Sequence, residues 1–192
     1  MAKDKAARIQ EAAIRVIAKK GFYNATIADV AKVAEVAEGT IYLYFKNKDD
    51  LLISIFENSM ELFIQEVNQE LEKCTGPEEK LRRFVDLHLH LVQENQDLAQ
   101  VLQIELRQSS KFMKEYEGGK FSDYLNIIRG LLKEGQEQKI FRQNLDARIL
   151  CRAIFGAVDE MALDWIWMKK KKYGLEACAE QLAELFLQGV KN

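Results

Sequence analysis

Apolar side chains recur at every third or fourth position along most of the chain, which is the period of an amphipathic α-helix. The longest of these stripes predicts a helix from a cap at Asn47 to Lys73, and it comprises Leu52, Phe56, Met60, Phe63, Val67 and Leu71. Shorter stripes predict helices at residues 5–20, 27–34, 39–45, 77–93, 98–106, 121–135 and 144–165, and after Gly174. The pattern therefore predicts about nine helices.

The composition supports an all-α fold class. The 192 residues include one proline and ten glycines, so few positions force the backbone to turn, and strong helix formers dominate the remainder. The order of short and long helices predicts a compact three-helix domain at residues 1–46, followed by a larger helical bundle at residues 47–192.

Polar residues mark several helix ends. Thr26 and Asp29 have the spacing of a capping box, in which hydroxyl and carboxylate groups bind the free amides of a new helix. Asn47 is predicted to cap the long helix, Pro77 to open the next one, and Asn144 to cap the helix that carries Trp165.

Charge, cysteine content and hydropathy narrow the class of protein. The net charge is −2, but residues 1–50 hold nine Lys or Arg against seven Asp or Glu, so the N-terminal quarter is the basic part. Three cysteines, an odd number without a C-x-x-C pair, are expected to be reduced thiols. We expect a cytoplasmic protein, because no stretch has the length of a membrane span or the form of a signal peptide.

Residues 26–48 contain two short helices joined by a tight turn and braced by the preceding helix, which is the arrangement of a helix-turn-helix. In the second of these helices Ile41 and Phe45 can face inward, so the hydroxyls are predicted to point outward. Hydroxyls and lysines on such a face can bind phosphate oxygens and base edges. Aromatic residues at helical spacing are usually core, so this interpretation depends on the combination with the cap, the turn and a glycine.

The segment resembles the DNA-binding domain of TetR-type bacterial transcriptional repressors, on the runs Ile27–Ala31 and Val36–Leu51. The resemblance implies a homodimer that binds an operator palindrome in double-stranded DNA and is released by a small molecule. It implies that the residues contacting DNA are Thr26, Gly39, Thr40, Tyr42, Tyr44 and Lys48. The chain departs from the usual pattern at two positions: Glu35 replaces a glycine in the turn, which predicts left-handed strain, and Ala37 replaces a capping serine or threonine.

The larger domain resembles the branch of this family that represses fatty-acid degradation in bacilli and responds to long-chain acyl-coenzyme A. The shorter motifs at 104–109, 124–127 and 154–160 carry that resemblance, together with residues 39–52. It implies an apolar tunnel for the acyl chain, with no other cofactor. The candidate tunnel residues are Leu102, Leu106, Tyr124, Ile128, Phe155 and Trp165.

Two sets of cations are candidates for binding a coenzyme. Arg107 lies between an apolar and a polar stretch, where it could hold a phosphate or thioester oxygen, or form a structural ion pair with Glu105 or Asp159. The run Lys169–Lys172 could attract phosphates, although cations at the end of a helix are expected in any case and that interpretation is favoured.

The last two helices are predicted to form the dimer interface. Gly156 and Ala157 permit close approach of helices, and Leu182, Leu185 and Phe186 provide apolar area, although the same residues could be core within one chain.

Enzyme chemistry has no support in the sequence. His88 and His90, the two histidines, would point about 200° apart on a helix and so could not share a metal there. No phosphate loop, G-x-S-x-G or H-E-x-x-H motif is present. The interpretations left open are a repressor induced by another apolar molecule, such as a drug or a free fatty acid, a lipid carrier without DNA binding, and a helical adaptor.

Overall fold

The computed structural model describes residues 2–105 and 119–192, and it confirms the all-helical prediction. The described residues form nine α-helices, with a single π-helical turn, Val101–Glu105, after the sixth. Their bounds are α1 Ala2–Lys20, α2 Ile27–Ala34, α3 Glu38–Tyr42, α4 Lys48–Leu71, α5 Pro77–Glu94, α6 Gln96–Gln100, α7 Gly119–Glu137, α8 Ala147–Trp167 and α9 Leu175–Val190.

The described residues pack as two compact units. The first comprises residues 2–59 and 95–105, and the second comprises residues 60–94 and 119–192. The beginning of α4 belongs to the first unit, where Gln10 donates a hydrogen bond to Ser54 (3.0 Å) and accepts one from Asn58 (2.9 Å). Packing therefore divides the chain later than the predicted boundary between residues 46 and 47, because Leu51 and Leu52 at the start of α4 are fully buried.

Most predicted helix ends agree with the structure, and one is wrong. The Asn47 side chain accepts a hydrogen bond from the Asp50 amide at 2.8 Å, as expected for a cap, and Pro77 is the first residue of α5. Asn144 does not cap α8: the capping residue is Asp146, which accepts hydrogen bonds from the Arg148 amide at 2.7 Å and from the Arg148 guanidinium. The charged pair of Asp146 and Arg148 gives a stronger cap than a neutral amide two residues earlier.

No helix in the described part of the chain combines the length and the apolar character that a bilayer crossing requires.

Candidate nucleic-acid interface and ligand-binding region

The turn between α2 and α3 has the strain predicted from its sequence. Thr26 and Asp29 form the complete capping box at the start of α2, with the Asp29 amide 3.1 Å from the Thr26 hydroxyl oxygen. At the other end of α2, Glu35 has φ 54° and ψ 48°, the left-handed conformation that favours glycine. Ala37 precedes α3 without a side-chain cap, as predicted. The α2 start is therefore well capped, whereas the turn that follows is strained.

Helix α1 braces this turn through two polar contacts. Arg8 donates a hydrogen bond to the carbonyl of Ala34 at 2.8 Å, and Lys20 forms an ion pair with Asp29 at 2.6 Å. The Lys20 ammonium and the Thr26 donors hold the pKa of Asp29 well below its ordinary value, so the capping carboxylate is ionised at neutral pH.

The second helix presents the predicted outward face. Ile41 and Phe45 are buried, while Tyr42 is 53% exposed and Thr40 and Tyr44 are half-buried. A side chain at Gly39 would meet open space, so this glycine lies at the surface, where a large ligand can approach the backbone. Sequence reasoning missed Leu43, which is 81% exposed between the two tyrosines. Its position on an outward-facing stretch was the signal that could have found it.

Lys48 binds backbone carbonyls of its own chain, which its predicted role as a DNA-contacting residue did not include. Its ammonium donates hydrogen bonds to the carbonyls of Phe22 (2.6 Å), Ala25 (2.9 Å) and Tyr23 (3.3 Å), and it lies 4.5 Å from the centre of the Phe22 ring. These three acceptors account for the three donors of a lysine ammonium. The side chain therefore holds the loop that leads into Thr26 rather than pointing away from the protein.

The second unit contains an aromatic cluster, formed by side chains of α4, α5, α7 and α8. Its members are Phe63, Phe84, His88, Phe121, Tyr124 and Phe155. Tyr124 is the centre, because its ring lies between 5.5 and 6.3 Å from each of the five other rings. The cluster brings together two of the predicted tunnel residues, Tyr124 and Phe155, at 5.8 Å.

One polar pair lies within this cluster. The Tyr124 hydroxyl oxygen and His88 Nδ1 are 2.8 Å apart, whereas His88 Nε2 is shielded from solvent and has no hydrogen-bond partner among the described residues. Burial lowers the pKa of His88 to about 4, and burial together with the Asp159 carboxyl raises the pKa of Tyr124 well above its ordinary value. Both groups are therefore neutral at pH 7.

The other predicted ligand residues are not members of the aromatic cluster. Ile128 is fully buried, whereas Leu102 is half-buried in the π-helical turn of the first unit. Trp165 is buried, and its ring nitrogen donates to the carbonyl of Tyr173 at 3.3 Å. Leu106 and Arg107 lie outside the described residues.

The lysine run after α8 makes one specific contact in the structure. The Lys171 ammonium lies 3.7 Å from the centre of the Trp165 ring and donates to the Trp165 carbonyl, while the other three lysines are exposed. Lys171 therefore covers the end of α8, in agreement with the favoured interpretation of the run.

The predicted interface residues on α8 and α9 differ in their exposure to solvent. Gly156 is exposed, a side chain there would meet open space, and Ala157 is half-buried. Leu182 and Phe186 are half-buried and Leu185 is 64% exposed. The core face of α9 consists of other residues, namely Leu175, Cys178, Ala179, Ala183, Leu187 and Val190. The alternative that Leu185 belongs to the core of one chain is therefore wrong.

The first unit has a helix-turn-helix, which is the form of a DNA-binding regulator. Comparison with known proteins gives the same class. Residues 9–55 match the family model of bacterial regulatory proteins of the tetR family, and residues 56–189 match that of the C-terminal region of YsiA-like proteins. The chain belongs to the TetR family of transcription regulators.

Its relatives include regulators of fatty-acid metabolism. The chain is 38% identical over 185 residues to the fatty acid metabolism regulator protein of Bacillus subtilis, covering 96% of this chain and 95% of that protein. The structure of the fatty acid degradation regulator FadR from Bacillus halodurans is similar with a TM-score of 0.90 and 40% identity, covering 96% of this chain and 95% of that one. FadR from Bacillus subtilis in complex with stearoyl-CoA is similar with a TM-score of 0.89 and 38% identity, covering 95% and 98%.

Proposed function

We propose that this protein is a homodimeric repressor of fatty-acid-degradation genes that leaves its operator when it binds a long-chain acyl-CoA. The observation that carries the proposal is the combination of the outward face of α3 with an aromatic cluster in a chain that is similar over nearly its whole length to fatty-acid-metabolism regulators, one of them solved in complex with stearoyl-CoA.

Five of the predicted DNA-contacting residues support the proposal by their exposure and position. The α3 face offers the hydroxyls of Thr40, Tyr42 and Tyr44, and Gly39 leaves room for the DNA backbone. Thr26 is exposed at the start of α2, where free amides attract phosphate. Lys48 acts on DNA through the loop that it holds, since its donors are bound to carbonyls.

The ligand region is supported by the size and apolar character of the cluster around Tyr124. Five aromatic rings on four helices give an acyl chain an apolar environment, and each buried methylene group contributes about 0.8 kcal/mol. Phe155 is half-buried, so the cluster reaches the surface of the second unit at this residue. We propose Tyr124, Ile128, Phe155 and Trp165 as ligand-contacting residues, with Leu102, Leu106 and Arg107 as further candidates.

A homodimer is proposed because a palindromic operator requires two recognition helices with a fixed separation. The apolar side chains of Leu182, Leu185 and Phe186 on α9 and the small residues Gly156 and Ala157 on α8 form the proposed contact. A ligand that favours another separation of the two recognition helices then weakens operator binding by linkage.

Gel shift with the DNA upstream of the protein's own gene tests the proposal. At 50 mM salt we expect a specific complex that is lost with Tyr42→Ala, and that dissociates with oleoyl-CoA but not with coenzyme A alone. Release by oleate at equal potency would make the inducer a free fatty acid. Absence of any complex with the wild-type protein, combined with tight binding of oleoyl-CoA, would instead make the protein a lipid carrier.

A further inference from the structure

We propose that Nε2 of His88 donates a hydrogen bond to the thioester carbonyl oxygen of the bound acyl-CoA, with Tyr124 as the positioning residue that fixes the histidine tautomer. The inference rests on the proposed function and adds to it the polar contact by which the ligand region distinguishes a thioester from other apolar ligands.

The hydrogen bond between His88 and Tyr124 determines what Nε2 can offer. The Tyr124 hydroxyl oxygen lies 2.8 Å from Nδ1. Among the described residues, Nδ1 is the hydrogen-bond partner of this hydroxyl. When the hydroxyl donates its proton to Nδ1, a neutral imidazole carries its own hydrogen on Nε2. The second ring nitrogen is then a donor aimed away from Tyr124.

The surroundings of Nε2 provide no acceptor for this donor in the described part of the chain. It is shielded from solvent and lacks a hydrogen-bond partner in the described part of the chain, and one aromatic neighbour of the imidazole is Phe63, whose ring lies perpendicular to it at 6.0 Å. A buried donor without an acceptor is unfavourable, so such groups are rare unless they have a function. An acceptor supplied by the ligand would recover that free energy on binding.

The chemistry of the cluster selects a neutral acceptor. Apart from the His88 and Tyr124 polar atoms, the cluster consists of phenylalanine rings. Burial and the Asp159 carboxyl group on α8 raise the pKa of Tyr124, and the Arg152 guanidinium lies 5.7 Å from the centre of the Phe121 ring. At Nε2 itself a carboxylate would lose its hydration for a single neutral donor, whereas a thioester carbonyl is an uncharged acceptor attached directly to an apolar chain.

A pair of ligands that differ by the carbonyl oxygen isolates this contact. Palmitoyl-CoA carries the thioester, and S-hexadecyl-CoA has a methylene group in place of the carbonyl. We expect calorimetric titration of the full-length protein to give about tenfold tighter binding of palmitoyl-CoA, the ratio that one net hydrogen bond produces. In His88→Phe the ratio should fall to near one, and in His88→Gln, which keeps an amide donor near the position of Nε2, it should be partly retained.

The second histidine supplies the matched control. His90 lies on the same helix, is exposed, and pairs with Glu94 at 3.2 Å, so His90→Phe should keep the wild-type ratio. Because the chain has only two histidines, ¹⁵N spectra of histidine-labelled wild-type protein resolve both rings. We expect His88 to be the tautomer protonated at Nε2, and this nitrogen to shift with palmitoyl-CoA more than with S-hexadecyl-CoA, while His90 stays constant.

Three outcomes contradict the inference. If palmitoyl-CoA releases operator DNA but the ratio of the two affinities is the same in wild type and His88→Phe, His88 has no contact with the carbonyl and the proposed function stands. An Nε2 signal that palmitoyl-CoA does not shift in the wild-type protein excludes the contact without any substitution. If palmitoyl-CoA neither binds nor releases DNA, the proposed function and the inference fall together.

Discussion

The helix-turn-helix and the aromatic cluster differ in where their polar groups lie and in how far apart in sequence the partners are. At the start of α2 the polar partners are close in sequence and exposed: Thr26 pairs with Asp29, and Asp29 with Lys20. In the cluster the polar pair joins residues 36 positions apart and is partly buried, with one solvent-shielded nitrogen left unpaired among the described residues. The first region keeps its chemistry facing outward for a large, charged partner, and the second keeps it enclosed for an apolar one.

The two regions also differ in the free-energy cost of leaving a polar group without a partner. A polar group at the surface exchanges one hydrogen-bond partner for another at small cost, so the outward hydroxyls of α3 can be free in one state and bound in another. A buried group without a partner carries a cost until its partner arrives. The DNA-binding face is therefore expected to be stable on its own, whereas the ligand region is expected to gain stability when it is occupied.

The largest expected effect concerns the pH dependence of stability. Burial lowers the pKa of His88 to about 4 from its ordinary 6.5, so between these values the unfolded chain takes up a proton that the folded protein excludes. The contribution of this group to the free energy of unfolding is fully present above pH 6.5 and falls by about 3 kcal/mol as pH drops to 4. Urea unfolding at several pH values measures it. His88→Phe should lack this drop and His90→Phe should retain it, and equal pH dependence in both variants would mean that His88 is solvated.

The next effect tests how tightly the second unit is packed. A methyl group at Gly135 on α7 would overlap the ring of Phe141, which is 1% exposed, whereas one at Gly130 on the same helix meets open space. We expect Gly135→Ala to lower the free energy of unfolding by about 2 kcal/mol and Gly130→Ala to raise it by up to about 1 kcal/mol. Denaturant unfolding of both variants compares them directly, and a neutral Gly135→Ala would show that Phe141 can move aside.

A substitution of Lys48 tests the helix-turn-helix region. Because its ammonium is bound to three carbonyls of the loop before α2, Lys48→Met should weaken operator binding about tenfold by loosening that loop. The dependence of affinity on salt should not change, since no phosphate contact is lost. A salt slope reduced by about 0.9 would instead identify a direct phosphate contact, as the sequence predicts. Lys46→Met controls for the loss of one exposed charge in the same segment.

The smallest effect comes from two strained positions, one in each unit. Glu35 has φ 54° and Lys139 has φ 59°, and glycine adopts these angles without steric cost. We expect Glu35→Gly and Lys139→Gly each to stabilise the protein by about 0.5–1 kcal/mol in thermal or urea unfolding, since the relief exceeds the added entropy of the unfolded chain. Gly21→Ala at φ 77° is the reverse control and should destabilise. Loss of stability in Glu35→Gly would show that its side chain has a role beyond the turn.

The parts of the fold that could be predicted from the sequence are those whose partners lie within one turn of helix. The capping box follows from Thr26 and Asp29, three positions apart, whereas the strain at Glu35 and the uncapped Ala37 are expected because these residues depart from the family pattern. The inward side chains of α3 follow in the same way from a spacing of four residues.

Other features depend on contacts that no local pattern records. Lys48 reaches a carbonyl 26 positions earlier, and His88 meets Tyr124 only because α5 and α7 pack together. The exposure of Leu185 on α9 is a further example, because both faces of this helix carry apolar residues and periodicity alone does not distinguish a core face from an interface.

The proposed function requires that operator binding and acyl-CoA binding are linked in one molecule, and the reciprocity of this linkage can be measured. Fluorescence anisotropy gives the operator Kd with and without saturating palmitoyl-CoA, and calorimetry gives the palmitoyl-CoA Kd with and without saturating operator. We predict that each ligand weakens the binding of the other by the same factor, at least about tenfold. Unchanged affinity for palmitoyl-CoA in the presence of the operator would contradict this linkage.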